Sequence, residues 1–342
     1  MFLFKNKQAI VLFFINIFLL FLIAIFYFYF FKAFEDKKVI KKNVKKELLP
    51  SLFVDKNKIK EEKTKKEVVL KGVTTQFFGY NSYDEKTFWK RYEMVKKWGI
   101  NLIGAFITPI NYKEKLVLID KLVDKTEEDK IYLYLTPTVD GKINNPTVYV
   151  NEFPKMIGFL AKRYKDKKHI LYGIWAEPHD ISWQEYLKLI QSINIEIKKY
   201  NPKTITIING IDWGSNFDNL KDLISIKNII LSYHFYPAND KKSLLKILNN
   251  FENNSFPWQK NNMFPILIGE FGGVWEKDFG SEEDITFIKK VLENINKNKF
   301  SYTAYTLDPY EGELSLMDEN FNLTKKGEII KNDLLNFPPT QF

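Results

Sequence analysis

Two glutamates stand where carboxylates are costly unless used. Glu177 follows Gly173-Ile174-Trp175-Ala176 and precedes Pro178-His179. Glu270 closes Pro265-Ile266-Leu267-Ile268-Gly269 and precedes Phe271-Gly272-Gly273. Each lies just past a short apolar run that reads as a buried strand. A carboxylate at the mouth of such a strand loses hydration, which favours an explanation by function. Two of them on different strands supply the general acid/base and the nucleophile needed to break a glycosidic bond. The structural alternatives are a loop cap for Glu177 and an ion pair with a neighbouring lysine for Glu270.

Such a pair needs a scaffold that brings the two runs together. From about residue 74, apolar runs alternate with charged, helical stretches. The runs are Thr74–Tyr80, Asn101–Ile107, Ile131–Thr136, Ile170–Trp175, Thr204–Ile208, Ile229–Tyr233, Ile266–Glu270 and Tyr302–Leu307. Helical patterns cover Asp84–Lys97, Tyr112–Val123, Asn151–Tyr164, Trp183–Tyr200, Phe217–Ile226, Lys241–Phe251, Glu282–Asn298 and Thr324–Leu335. Ser182 and Ser281 have acidic residues at the spacing of N-terminal caps. Eight strand–helix units predict a closed (β/α)8 TIM barrel with a parallel inner sheet. An open doubly wound sheet would carry a Gly-x-Gly-x-x-Gly turn, and the sequence has none. In the barrel, Glu177 and Glu270 fall on one rim, at the C-terminal ends of the fourth and seventh strands.

The rest of the chain narrows the chemistry. There is no cysteine, and the three histidines (His169, His179, His234) have no metal-binding spacing. Neither a metal nor a cofactor is expected. The net charge of +9 comes mainly from the leader: residues 68–342 carry 36 basic and 35 acidic residues. That near-neutral domain gives no reason to expect a nucleic-acid partner. Residues 9–31 are uncharged and long enough to cross a bilayer, which predicts a signal anchor within residues 1–31. Residues 32–67 hold 13 lysines and read as a solvated tether with some capacity to touch anionic lipid. Residues 68–342 then form the barrel domain. The lysines after the span favour a cytoplasmic domain by the positive-inside rule, whereas an anchor on a polysaccharide-type domain favours export. The expectation adopted is a membrane-anchored, extracytoplasmic domain.

Taken in order, the motifs resemble glycoside hydrolase family 5, the cellulase and mannanase family, over residues 74–335. Trp98-Gly99-Ile100-Asn101-Leu102-Ile103 resembles the family's second strand. Trp175-Ala176-Glu177-Pro178-His179 resembles its Asn-Glu-Pro motif, and Ser232-Tyr233-His234-Phe235-Tyr236 its His-x-Tyr motif. Pro265–Gly272 resembles the nucleophile strand, and Asn201–Ile208 the fifth strand. The resemblance implies a retaining mechanism on a β-1,4-glucan or mannan, with Glu177 as acid/base and Glu270 as nucleophile. It implies that Glu177 is protonated and Glu270 ionised, with Tyr236 donating to Glu270 and His234 contacting the sugar or tuning Glu177. Two departures follow. Ala176 replaces the asparagine that bonds the sugar 2-hydroxyl, and Gly104 replaces the arginine that holds the nucleophile.

Aromatic rings at strand ends fit the C–H faces of sugars. Trp175, Trp213, Trp275, Tyr80, Tyr236, Tyr305 and Tyr310 are the candidates, with Asn81, Asp212, Asp308 and Glu311 as hydroxyl partners. With 16% of the chain aromatic, any one of these rings can equally be core. Two other readings stay open: a barrel that binds glycans without cleaving them, motivated by Ala176 and Gly104, and a transglycosylase.

Overall fold

The structure, a computed structural model, describes residues 15–32, 48–79, 83–139, 150–217, 219–250, 256–275 and 279–342. Two compact units are present, residues 1–48 and 49–342. In the first, the described part is one helix, α1 (Ile15–Lys32), with mean hydropathy 2.1 and no buried residue. Its length and composition suit a membrane span. The first residues of the expected span, 9–14, lie outside the described ones.

The second unit is the expected barrel. Strands β3 (Lys71–Thr75), β4 (Leu102–Ile107), β5 (Tyr132–Pro137), β6 (Ile170–Gly173), β7 (Thr206–Asn209), β8 (Ile229–Phe235), β9 (Ile266–Phe271) and β10 (Ser301–Ala304) pair in sequence order, and β10 closes on β3. All eight pairings are parallel. Side chains alternate between two fates. On β4, Ile103, Ala105 and Ile107 face the helices, while Leu102 and Phe106 fill the barrel.

The outer helices are α2 (Glu85–Lys96), α3 (Leu116–Glu128), α4 (Phe153–Arg163), α5 (Trp183–Tyr200), α6 (Lys241–Asn249), α7 (Glu282–Asn298) and α8 (Lys325–Asn336). Ser182 and Glu185 form a capping box at α5, and the Ser281 side chain accepts from the Asp284 N–H at α7. Such caps are worth about 1 kcal/mol each. The helix expected over 217–226 is reduced to a 3-10 turn, Leu220–Leu223. Asn219 before it is non-helical, and Asp222 is engaged by the Trp183 indole N–H at 2.8 Å.

The tether expectation needs correction over its second half. Residues 52–55 (β1) and 58–61 (β2) form an antiparallel hairpin that belongs to the barrel unit. Leu49, Leu52, Ile59 and Val68 are buried against Leu102, Tyr132, Ile205 and Ile230. Tyr132 donates to the Pro50 carbonyl at 2.6 Å, and the Val54 N–H donates to Asn228 at 3.1 Å. The hairpin plugs the N-terminal end of the barrel, so the domain begins at residue 49 and not at 68. The lysines point outward while alternate apolar residues point in, a period-two pattern masked by charge.

Candidate active site

A β-bulge decides where Glu270 points. Register runs Tyr233 to Ile268 and then His234 to Glu270, so Gly269 is an extra residue on β9. Strict alternation would send Glu270 outward with Ile266 and Ile268; the extra residue turns it into the barrel. A side chain on Gly269 would sit 2.4 Å from the Ser232 hydroxyl oxygen, so only glycine allows this path.

Glu177 is placed differently. Its backbone is left-handed, at φ 55°. A non-glycine residue there costs about 1–3 kcal/mol and persists only when its surroundings hold it. The Ala176 N–H bonds the Pro137 carbonyl at 2.8 Å, and His179 Nδ1 lies 2.8 Å from the Glu177 carbonyl oxygen.

The two carboxylates and His234 meet: an oxygen of each glutamate and a ring nitrogen lie within 4.8 Å of one another. His234 Nδ1 is 2.9 Å from Glu177 Oε1 and 3.6 Å from Glu270 Oε1. Tyr236 donates its hydroxyl to Glu270 Oε2 at 3.4 Å. Behind His234, Asn209 Nδ2 approaches Nε2 at 3.3 Å, while Tyr134 donates to Asn209 Oδ1 at 3.4 Å. This chain orders the donors. In the neutral ring Asn209 gives to His234 Nε2 and Nδ1–H gives to Glu177; in the protonated ring both nitrogens donate, and the Asn209 amide presents its oxygen to Nε2 instead. Both ring nitrogens are thereby engaged, which fixes the ring against Glu177.

Burial is the largest influence on Glu270, only 4% exposed, and it raises this carboxyl to about 8. The charge of His234 opposes the rise, Glu177 adds to it, and Lys326 and the Tyr236 hydroxyl oppose it. Burial works against a charged His234, but Glu270 and Glu177 outweigh it and raise the ring above its ordinary value. Burial thus works against the ionised Glu270 that the resemblance implies, while His234, Lys326 and the Tyr236 hydroxyl work for it.

A larger side chain at Gly104 has no room here. A Cβ on Gly104 would lie 2.9 Å from Thr74 Cγ2 and 3.3 Å from Tyr134 Cδ1. Lys326 on α8, which the sequence did not single out, brings a positive charge near Glu270. Ala176 faces an apolar patch with Phe106, Tyr305 and Leu314, beside Tyr236.

The remaining candidates divide. Trp213 is 48% exposed and stacks flat on His179, with ring centres 3.7 Å apart. Gly214 permits this turn: its φ is 79°, and a Cβ would meet His234 Cβ at 2.8 Å. Trp275 is 39% exposed and meets Tyr236 edge-on at 4.9 Å. Trp213 and Trp275 are thus open aromatic surfaces, and Tyr305 is a nearly buried wall. Asp212 is exposed beside Trp213. Tyr80 and Asn81 lie outside the described residues.

Trp175 and Asp308 are corrected. Trp175 is fully buried and packs edge-on against Phe153 and Tyr186 in the helix layer. It therefore cannot reach a sugar. Asp308 is also fully buried. It accepts from the Thr75, Tyr83 and Thr306 hydroxyls and the Gln76 N–H at 2.5–3.0 Å. Its lone pairs are spent joining the β3 and β10 ends, leaving none for substrate. Asn209 and His179 were missed. Asn209 could have been found as the inward residue after Ile207, since alternation places it at the barrel mouth.

Comparison with known proteins shows the family and the fold. A family model described as cellulase (glycosyl hydrolase family 5) matches residues 61–311. Endoglucanase Z of Dickeya dadantii is 24% identical over 254 residues, 73% of this chain and 56% of that protein. Endoglucanase A of Butyrivibrio fibrisolvens is 25% identical over 221 residues, 60% and 48% respectively. The chain spans about half the length of these relatives. Among solved structures, β-glucanase SdGluc5_26A from Saccharophagus degradans in complex with cellotetraose superposes with TM-score 0.69 at 20% identity, covering 86% of this chain and 96% of that one. The catalytic domain of the major endoglucanase from Xanthomonas campestris pv. campestris gives 0.67 at 18%, covering 83% and 99%. Similarity at this level shows a shared fold.

Proposed function

This chain belongs to glycosyl hydrolase family 5, and from that premise we propose that it hydrolyses β-glycosidic bonds in a β-1,4-glucan or mannan by a retaining double displacement. The observation carrying this reading is the approach of Glu177 and Glu270 oxygens to within 4.8 Å, with His234 between them. Retaining enzymes hold their carboxyl groups roughly 5–5.5 Å apart, whereas inverting ones need about 6.5–9.5 Å to admit water.

In the first step the Glu270 carboxylate attacks the anomeric carbon while the Glu177 carboxyl donates its proton to the departing oxygen. In the second, Glu177 takes a proton from water, the water oxygen bonds the anomeric carbon, and Glu270 leaves. Glu270 must be ionised for the first step, so its burial makes compensation by His234, Tyr236 and Lys326 part of the mechanism. His234 donates to Glu177 and orients it. Trp213 and Trp275 offer faces on which sugar rings can stack.

Ala176 and the apolar patch beside it favour a second reading, a barrel that binds glycans with little turnover. The test uses the full-length chain in detergent on cellulosic, mannan and xylan substrates, measuring reducing ends. Turnover abolished in Glu270→Gln and Glu177→Gln supports the proposal. Full activity in Glu270→Gln, or calorimetric binding of oligosaccharides with no cleavage, refutes it. The ratio of transfer products to hydrolysis products separates a transglycosylase.

We place the enzyme at a membrane through α1, with its catalytic domain outside the cytoplasm. The uncharged span supports the anchor, and a polymeric substrate supports the side. Protease added to intact cells should digest the domain; protection in intact cells with digestion after lysis refutes the outward orientation.

A further inference from the structure

We propose that Lys326 is the positioning residue that holds Glu270 in its ionised form, supplying from α8 the positive charge that β4 lacks. This rests on the reading of Glu270 as nucleophile. Lys326 is the second residue of α8 and only 1% exposed. Its Nζ donates to the carbonyl oxygen of Phe271, the residue after Glu270, at 3.2 Å. The rings of Phe271 and Phe279 lie 5.8 and 5.0 Å from it.

An ammonium here is expensive in three ways. It is desolvated. It sits at the positive end of a helix dipole, where cations are disfavoured. It also forms no direct ion pair among the described residues. Helix stability does not account for such a group, since the Thr324 side chain already caps α8 by accepting from the Gly327 N–H. Two carboxylates offset the cost, Glu270 and Asp284. Asp284 is already served by the N–H groups of Gly273, Val274 and Gly280 at 2.6–2.8 Å. The Glu270 carboxyl receives no backbone N–H of this kind among the described residues and has only His234, at 3.6 Å, and the Tyr236 hydroxyl, at 3.4 Å, to support its charge.

Burial moves the two groups toward each other, Lys326 down to about 8 and Glu270 up to about 8, and each favours the charged form of the other. The other titratable groups near Glu270 are His234 from β8, Tyr236 just past its end, Glu177 from the β6 end, Tyr134 from β5 and Tyr305 from the β10 end. His234 supplies positive charge only while protonated. Lys326 adds a second source of positive charge, from a different element. The arrangement differs from an arginine on β4 in one respect: the lysine itself can lose its proton.

The decisive measurement is the pH profile of kcat/KM for the full-length chain in detergent. Removing the charge raises the Glu270 pKa, so the acidic limb of Lys326→Met should move upward by about one pH unit or more, with roughly tenfold loss on that limb. Lys326→Arg should keep the limb near the wild-type position. A folded Lys326→Met with an unmoved limb overturns the proposal. If the methionine variant does not fold, NMR of the lysine Cε, assigned by its absence in Lys326→Arg, replaces it. The Lys326 titration should move to lower pH in Glu270→Gln, and an unchanged titration overturns the proposal. Activity surviving in Glu270→Gln would remove the nucleophile reading itself. An inactive Glu270→Gln with an unmoved Lys326→Met limb would remove only this inference.

Discussion

Glu270→Gln should stabilise the fold while abolishing turnover, and the stabilisation should grow with pH. The group is buried, and its folded pKa is raised from 4.5 to about 8. A raised folded pKa means that the native state holds the proton more tightly than the unfolded chain. The resulting stability is fully present below the unfolded value of 4.5 and is lost as pH rises through about 8. At about 1.4 kcal/mol per pKa unit, the cost of ionising Glu270 in place has an upper limit near 5 kcal/mol. His234 and Lys326 share that charge and lose a partner in the variant, so about half the limit, roughly 2 kcal/mol, is expected. For a domain of this size that is about 3 °C in Tm. Glutamine keeps the shape and cannot ionise. Melting curves of wild type and Glu270→Gln across the window from pH 4.5 to above 8 test this. The difference should be near zero at the acidic end and largest at the alkaline end. A difference that is flat across the window, or a variant less stable at alkaline pH, would refute the argument from buried charge.

Other expectations follow from the same geometry. Tyr236→Phe deletes the hydroxyl 3.4 Å from Glu270 and should lower kcat/KM by about tenfold, with the acidic limb of its pH profile moving upward. Trp213→Ala should weaken oligosaccharide binding, read as a higher KM or calorimetric Kd, by about 1 kcal/mol at nearly constant kcat. Trp175→Ala, by contrast, should cost about 3–5 kcal/mol of fold stability in denaturant titration, because that ring is core. Asp308→Ala should destabilise by about 3 kcal/mol or more, since four buried donors lose their acceptor, with no selective effect on substrate affinity. A chain started at residue 68 should melt lower than one started at residue 49, because the barrel floor is exposed; equal Tm values would show the hairpin to be dispensable.

The barrel was readable in the sequence because its signal is repeated. Eight apolar runs recur at the right spacing, and the structure turns each into a strand with ends shifted by a few residues. Ser182 and Ser281 marked two helix starts because capping is local chemistry. The directions of side chains near strand ends were less accessible. Trp175 looked like a rim aromatic since it precedes Glu177 by two residues, but it turns into the helix layer. Glu270 faces inward only through a bulge at Gly269, which apolar periodicity does not reveal. Asp308 read as a free hydroxyl partner because its four donors come from segments up to 233 residues away. Lys326 was invisible for the same reason, being one of two adjacent lysines in a helix turn whose partner is remote in sequence.

The plugged floor has a consequence for how this chain can be rewired. Leu49 and Leu52 lie in the same apolar cluster as Phe342, and the Val69 N–H and Asn101 side chain bond Thr340. Residues at both extremes of the barrel unit thus gather at the end away from Glu177 and Glu270. A short loop could join them, and new termini could be opened between other elements, without crossing the mouth. A circular permutant of this kind should retain catalysis, and fusion partners attached at the floor should leave the cleft unobstructed.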